Sequence, residues 1–343
     1  MDNLTGINEL AGAVNVLQSE RAKKTKRTFN TAVILHLYYV DLWSEISAYL
    51  ANLGSDFDLY VSICGNANAM IVEHIKSTYP NAFVCKMKNK GRDIGPFMEI
   101  YPAVARHYEY ICKIHSKKSL HLGDGSTWRQ EIYSSILGTT ETVERIKEIF
   151  DTFPKIGIIA PKGQLLRCQS NVDSNTKSIV ELSKRLNVIN PDMFDFEFVA
   201  GSMFWFRSEA LNFLPSLNIT QESFCEEQGQ TDNTLSHALE RIFTLASITV
   251  GYEVVDTQTI EIYQDLLKKS GFEIRGEEAL QALLWQLVQK IRLDKATIVS
   301  LDKKNIEMEK SYSWRITQPL RFIMRNIILK TWLKRYFFSK RAR

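Results

Sequence analysis

The stretch TAVILHLYYVDLWSEISAYLANLGSDFDLYVSIC, residues 31–64, decides the fold. Seven of its first nine residues are aliphatic or aromatic and three are β-branched, which reads as a buried strand. Leu42, Ile46, Tyr49, Leu50 and Leu53 then fall on one helical face, and DLYVSIC returns to a strand. The alternation continues outward. ANAMIVEHIKSTY (67–79) reads as a helix, AFVCKMK (82–88) as a strand, PFMEIYPAVARHY (96–108) as a helix entered at Pro96, and YEYICKIH (108–115) as a strand. Strands and helices of these lengths in strict alternation predict an α/β fold with a doubly wound, mostly parallel sheet and helices on both faces. Further on, KIGIIAPKG (155–163), FEFVAGSMFWFR (196–207) and ASITVGYEVV (246–255) read as strands, and TDNTLSHALERIF (231–243) as a helix.

The division expected is a helical N-terminal arm (1–28), an α/β ligand-binding domain (29–256), a helical, coiled-coil-like extension (257–310) with Leu280, Leu284, Leu287 and Ile291 at heptad-like steps, and a basic tail (311–343). The whole chain of 343 residues carries +4. The tail alone holds nine basic residues and no acid, which leaves −5 on residues 1–310. The body is therefore no nucleic-acid binder by charge. The tail mixes aromatic, aliphatic and basic residues, a composition suited either to an anionic membrane interface or to a partner helix. No signal-peptide pattern and no run of about 18 apolar residues is read, and the five scattered cysteines fit free thiols in a reducing cytoplasm.

In a doubly wound sheet, ligands bind beyond the carboxyl ends of the strands. Two loops belong there: NKGRDIGP (89–96) and SKKSLHLGDGSTW (116–128). Gly91 permits positive φ or close approach, and the following helix offers amides to an anion. Arg92 can reach phosphate or fix the loop, and Asp93 can take a sugar or base hydroxyl or pair with a neighbour. The fourth strand ends His115-Ser116-Lys117-Lys118, where Lys and His⁺ can neutralise a departing diphosphate without a metal. Gly201 and Ser202 inside an apolar strand suggest a ligand close to the backbone. Trp205 is a core ring or a sugar-stacking one. Asp232, at a helix start, is a cap or a general base, with Glu227 in reserve and His237 beside it on the acceptor side. Asp56–Asp58 opens a strand, the wrong end for a metal site, and Asp195 with Glu197 is a metal-dependent alternative.

Together LHLYYVDLW, NKGRDIGPF, KIHSKKS, Trp128-Arg129, FVAGSMFWFR and DNTLSHALERIF resemble the rhamnan synthesis protein F family of bacterial surface-polysaccharide glycosyltransferases, over roughly residues 30–256. SWRITQPLR is similar to a tail seen on many such transferases. The resemblance implies a GT-A-like fold and a peripheral protein at the cytoplasmic face of the inner membrane. It also implies sugar transfer from a nucleoside-diphosphate donor to a lipid-linked or growing O-antigen, capsule or rhamnan chain, beside other polysaccharide-assembly enzymes. Such transferases usually carry two metal-binding aspartates after the fourth strand. With His115, Ser116, Lys117 and Lys118 there, no metal or other cofactor is expected. The competing expectation is a non-catalytic docking subunit of a polysaccharide-assembly complex.

Overall fold

The computed structural model describes residues 30–64, 69–118, 125–171, 175–188, 194–227 and 234–270, with scattered helical positions between 286 and 311. The chain divides into two compact units, Met1–Gln264 and Asp265–Arg343. In the second, Leu287, Leu301 and Met308 are exposed helical positions. The arm (1–28) and the tail from 312 lie outside the described residues, as do Leu280 and Leu284.

The first unit is built on a seven-stranded sheet. Its strands are β1 (Thr31–Leu37), β2 (Asp58–Cys64), β3 (Phe83–Met87), β4 (Tyr110–His115), β5 (Ile156–Ala160), β8 (Phe204–Arg207) and β9 (Glu253–Asp256). A separate antiparallel pair joins β6 (Leu165–Arg167) to β7 (Glu197–Val199). The order across the large sheet is β3-β2-β1-β4-β8-β5-β9. The helices flanking it are α1 (Trp43–Leu50), α2 (Ala69–Thr78), α3 (Ile94–Val104), α4 (Gly125–Leu137), α5 (Thr140–Thr152), α6 (Thr176–Arg185), α7 (Leu235–Thr249) and α8 (Thr257–Ser270). All seven residues of β1 are buried, as a strand covered on both faces requires. This is the expected α/β architecture with a mostly parallel central sheet flanked by helices.

β8 alone runs against its neighbours, antiparallel to both β4 and β5, with Lys113 opposite Phe204. Its amino end therefore lies beside the carboxyl end of β4, so Gly201 and Ser202 reach the ligand edge of the sheet. They do so as a turn. FEFVAGSMFWFR is two strands, parted where Gly201 (φ 84°) and Ser202 (φ 55°) adopt left-handed backbone. A second difference is at ASIT (246–249), the last turn of α7 and not a strand. Ala246 and Ser247 continue the buried face of Leu239, Ile242 and Phe243, Ile248 is exposed, and the strand starts only at Glu253. Asp58 opens β2 at the opposite edge and accepts a hydrogen bond from the Tyr108 hydroxyl (2.5 Å).

Candidate functional site

The segment leaving β4 is pinned residue by residue. The Tyr133 hydroxyl of α4 donates to the His115 carbonyl (2.7 Å), and the Ser116 amide donates to the His36 carbonyl (2.9 Å). Ser116 Oγ accepts from the Tyr39 amide (2.8 Å). Arg129 grips Glu45 of α1 with Nε and Nη2 (3.0 and 2.9 Å), and its Nη1 donates to the Lys117 carbonyl (3.0 Å). A bidentate guanidinium fixes geometry as well as charge, so α1 and α4 together set where the Lys117 side chain begins. Lys118 turns aside, paired with Asp41 (2.6 Å) and lying 4.9 Å from the centre of the Tyr39 ring.

Beneath this edge lies a buried charge cluster. Lys113 is 1% exposed, and its ammonium donates to Asp93 Oδ2 (2.5 Å), the Ser202 carbonyl (2.7 Å) and Ser202 Oγ (2.8 Å). Phe97 covers it at 5.3 Å. Burial by itself would raise the Asp93 carboxyl's pKa. The charge and hydrogen bond of Lys113 outweigh it and hold the carboxyl well below the usual carboxylate range. His115, whose Nδ1 is 3.4 Å from Asp93 Oδ2, is itself pushed down to about 3 by burial, against the pull of Asp93. We therefore take His115 as neutral and Lys113 as the cation that keeps Asp93 ionised. Burial likewise lowers His36, hydrogen-bonded to Ser62 (2.9 Å), to about 4. The expected His⁺ at residue 115 is thus corrected, because a site this dry disfavours a second cation beside Lys113.

The glycine loop serves packing. A Cβ on Gly91 (φ 74°) would lie 2.6 Å from the Phe224 ring, and one on Gly95 would lie 2.3 Å from the Lys90 carbonyl. The amides of Ile94 and Gly95, expected to face an anion, both donate to the Gly91 carbonyl (3.0 and 2.8 Å). Asp93 stands at the N-cap position of α3 without capping it, since its carboxylate is committed to Lys113. Arg92, left-handed at φ 54°, reaches Glu227 (3.3 Å) and the Nε2 of His237 (3.0 Å), whose Nδ1 meets Thr234 Oγ1 (2.7 Å). Arg92, Glu227 and His237 therefore form one polar chain across the loop. Asp232 lies outside the described residues.

Lys117 is different. Its half-buried ammonium sits 4.2 Å from the centre of the Trp128 ring and makes no hydrogen bond or ion pair with the described residues. Burial lowers its pKa, partly offset by Glu240 and Asp93, while Arg92 and Lys113 lower it further. Glu240, on α7, accepts from the Gly201 amide (2.7 Å). Burial raises its pKa, opposed by Lys117 and Arg241. A partly dehydrated cation that lies on a ring and makes no ion pair with the described residues can take an anion at little desolvation cost.

The structure thus brings Gly91, Arg92, Asp93, His115, Lys117, Gly201, Ser202 and His237 to one edge, with Lys118 on its flank. Trp205 is corrected: it is fully buried in β8, its indole donating to the Ile136 carbonyl (3.0 Å), so it offers no face to a sugar. Lys113, Trp128 and Arg129 were not assigned site roles from sequence. A lysine in the middle of the apolar strand YICKIH was the available signal, because a strand covered on both faces must supply it with a partner. The donor set at the end of β4 does not fit a divalent cation, since Lys117 and Lys118 bring positive charge and Asp93 is bound to Lys113. Among the described residues, no cluster of three or more His, Cys, Asp or Glu is placed to ligate one, Asp195 and Glu197 included.

Among these residues, no helix is long and apolar enough to cross a membrane. The sequence is 31% identical over 230 residues to the uncharacterized protein WxcX of Xanthomonas campestris pv. campestris, in each of two strains. That match covers 67% of this chain and 33% of WxcX, so the chain spans about a third of these relatives' length. The sequence model of rhamnan synthesis protein F matches residues 2–252, most of the chain. On the strength of this match over most of its length, the chain belongs to the rhamnan synthesis protein F family, a family of polysaccharide synthesis.

Proposed function

We propose that the chain is a glycosyltransferase that moves a sugar from a nucleoside-diphosphate donor onto a lipid-linked or growing bacterial surface polysaccharide. The observation that carries this reading is the Lys117 ammonium, at the carboxyl edge of the sheet with the Trp128 ring beside it and no ion pair to any of the described residues. A leaving diphosphate gains negative charge as the sugar departs, and an ammonium already partly stripped of water stabilises that charge. Lys117 is the donor clamp on this reading, and the rigid base of Lys113, Asp93 and His115 sets its depth. Arg92 holds Glu227 and His237 on the acceptor side. Asp232 is assigned the acceptor's proton on sequence grounds, in a single inverting displacement. No metal is invoked, because the residues at the end of β4 do not suit one. The basic tail would hold the protein on the cytoplasmic face of the inner membrane, near its lipid-linked acceptor and other assembly enzymes.

Calorimetry against UDP, dTDP and GDP, with and without chelator, tests the reading. Binding that survives chelation and is lost in Lys117→Ala is the expected result. Binding only with Mg²⁺ or Mn²⁺ removes the metal-free clamp. Absence of any nucleotide binding removes the transferase and favours a docking subunit.

A further inference from the structure

Trp128, on the first turn of α4, is held from two sides. Its Nε1 donates to Gln164 Oε1 (3.2 Å), and its rim lies so close to Gly201 that a Cβ there would come within 3.2 Å of Cη2. The ring is half-buried, and one face carries the Lys117 ammonium. Across Gly201 stands Glu240. One of its carboxylate oxygens takes the Gly201 amide, and the other has a long contact of 3.5 Å with Arg241. The Glu240 side chain remains 18% exposed, so it is not sealed in the core.

A flat indole beside a carboxylate is a combination suited to a sugar ring. The C–H face of a pyranose stacks on the indole, and its hydroxyls donate to the carboxylate. Gly201 is what lets the two stand together, because any side chain there would push Trp128 away. An ammonium on an aromatic face is held more weakly than one hydrogen-bonded to a phosphate, so an arriving diphosphate wins Lys117 from the ring.

We propose that Trp128, Gly201 and Glu240 form the seat of the sugar adjoining the diphosphate, and that Lys117 leaves the Trp128 face as it engages the phosphate. This rests on the reading of the chain as a nucleotide-sugar transferase. The parked lysine covers the indole while no donor is bound, and the donor's own charge uncovers it. Nucleotide and sugar recognition are then coupled through one side chain.

The test compares bare nucleotides with their sugar conjugates on the full chain, using UDP with UDP-glucose and dTDP with dTDP-rhamnose. Wild type is expected to bind one conjugate more tightly than its bare nucleotide. Trp128→Ala should weaken that conjugate by about tenfold while moving the bare nucleotide by less than about threefold, and Trp128→Phe should recover most of the loss. Glu240→Gln gives the same selective loss without disturbing the indole, which keeps the test valid should Trp128→Ala fold poorly. Bare nucleotide should also change the protein's indole fluorescence in wild type and not in Trp128→Phe. Equal weakening of nucleotide and conjugate, no weakening of either, or a fluorescence change that persists in Trp128→Phe overturns the proposal and leaves the transferase standing. Failure of wild type to bind any nucleotide overturns both.

Discussion

Replacing Lys113 by methionine keeps the length of the side chain and removes its charge. The substitution deletes three hydrogen bonds at once, to Asp93, the Ser202 carbonyl and Ser202 Oγ, and leaves the Asp93 carboxylate, 13% exposed, without its cation. Breaking one side of a buried ion pair costs about 3–5 kcal/mol, most of it the penalty of the charge left behind. Urea unfolding monitored by circular dichroism should therefore place Lys113→Met about 3–5 kcal/mol below wild type at pH 7. The pH dependence carries the sharper signature. In wild type, Asp93 is depressed below its unfolded value of about 3.9, so its contribution is present above that pH and lost as pH falls through the folded value. In the variant, with Lys113 gone and His115 neutral, burial dominates the Asp93 carboxyl and raises it. Protonation then relieves the variant as pH falls through that raised value, so its deficit should narrow between pH 7 and about pH 4. Adding Asp93→Asn to Lys113→Met should recover part of the loss at pH 7, and the double-mutant cycle should show strong coupling. A deficit below about 1 kcal/mol, or one identical at pH 7 and pH 4.5, would refute the pairing as the organising feature of this edge.

Gly91→Ala forces a side chain into left-handed backbone and against Phe224, and should cost about 2–4 kcal/mol in the same unfolding assay. Trp205→Phe loses the hydrogen bond to the Ile136 carbonyl and some core volume. It should lower stability by about 1–3 kcal/mol while leaving nucleotide affinity where it was, whereas a loss of affinity at full stability would return Trp205 to the site. Nucleotide affinity should also fall with rising pH at lower pH than an ordinary lysine near 10.4 dictates, because the Lys117 pKa is lowered. Lys117→Arg should abolish that alkaline limb, and a limb unchanged in Lys117→Arg would show that another group produces it.

Much of the fold was legible because it rests on local periodicity. The helical face of Leu42, Ile46 and Leu50 and the unbroken apolar run of β1 need no tertiary information. The misreadings came where tertiary context overrode composition. ASIT ends in β-branched Ile248 and Thr249, yet Ala246 and Ser247 continue the buried stripe of α7, and the helix carries the exposed Ile248 and Thr249 along despite their strand propensity. Gly201 and Ser202 were visible as an anomaly in an apolar run. Their role as a turn depends on Lys113, which binds Ser202 from 89 residues earlier in the chain. For the same reason Trp205 stood open in the sequence as a core or a sugar-stacking ring. It is a large ring near a glycine in an apolar run, and only the packing of β8 puts it in the core.

The reversal of β8 also explains why charge is arranged as it is. It brings the Gly201–Ser202 turn to the end of β4, and the Ser202 carbonyl then needs a donor in a dry place. Lys113 supplies it, and a buried lysine in turn needs a carboxylate, which the loop before α3 provides as Asp93. This consumes the one acid of that loop that faces β4. A divalent cation at this edge would have to compete with Lys113 for Asp93 and then sit beside Lys117. The same arrangement leaves Lys117 with an ammonium that nothing in the described fold neutralises. The buried pair Lys113–Asp93 contributes little net charge, and His36 and His115 are held neutral by burial. Arg92 and Lys118 at the same edge are paired with Glu227 and Asp41, whereas Lys117 makes no ion pair with the described residues and its carbonyl is gripped by Arg129. On the proposed reading, an entering diphosphate meets this pre-positioned ammonium, whose starting point α1 and α4 fix through Glu45 and Arg129.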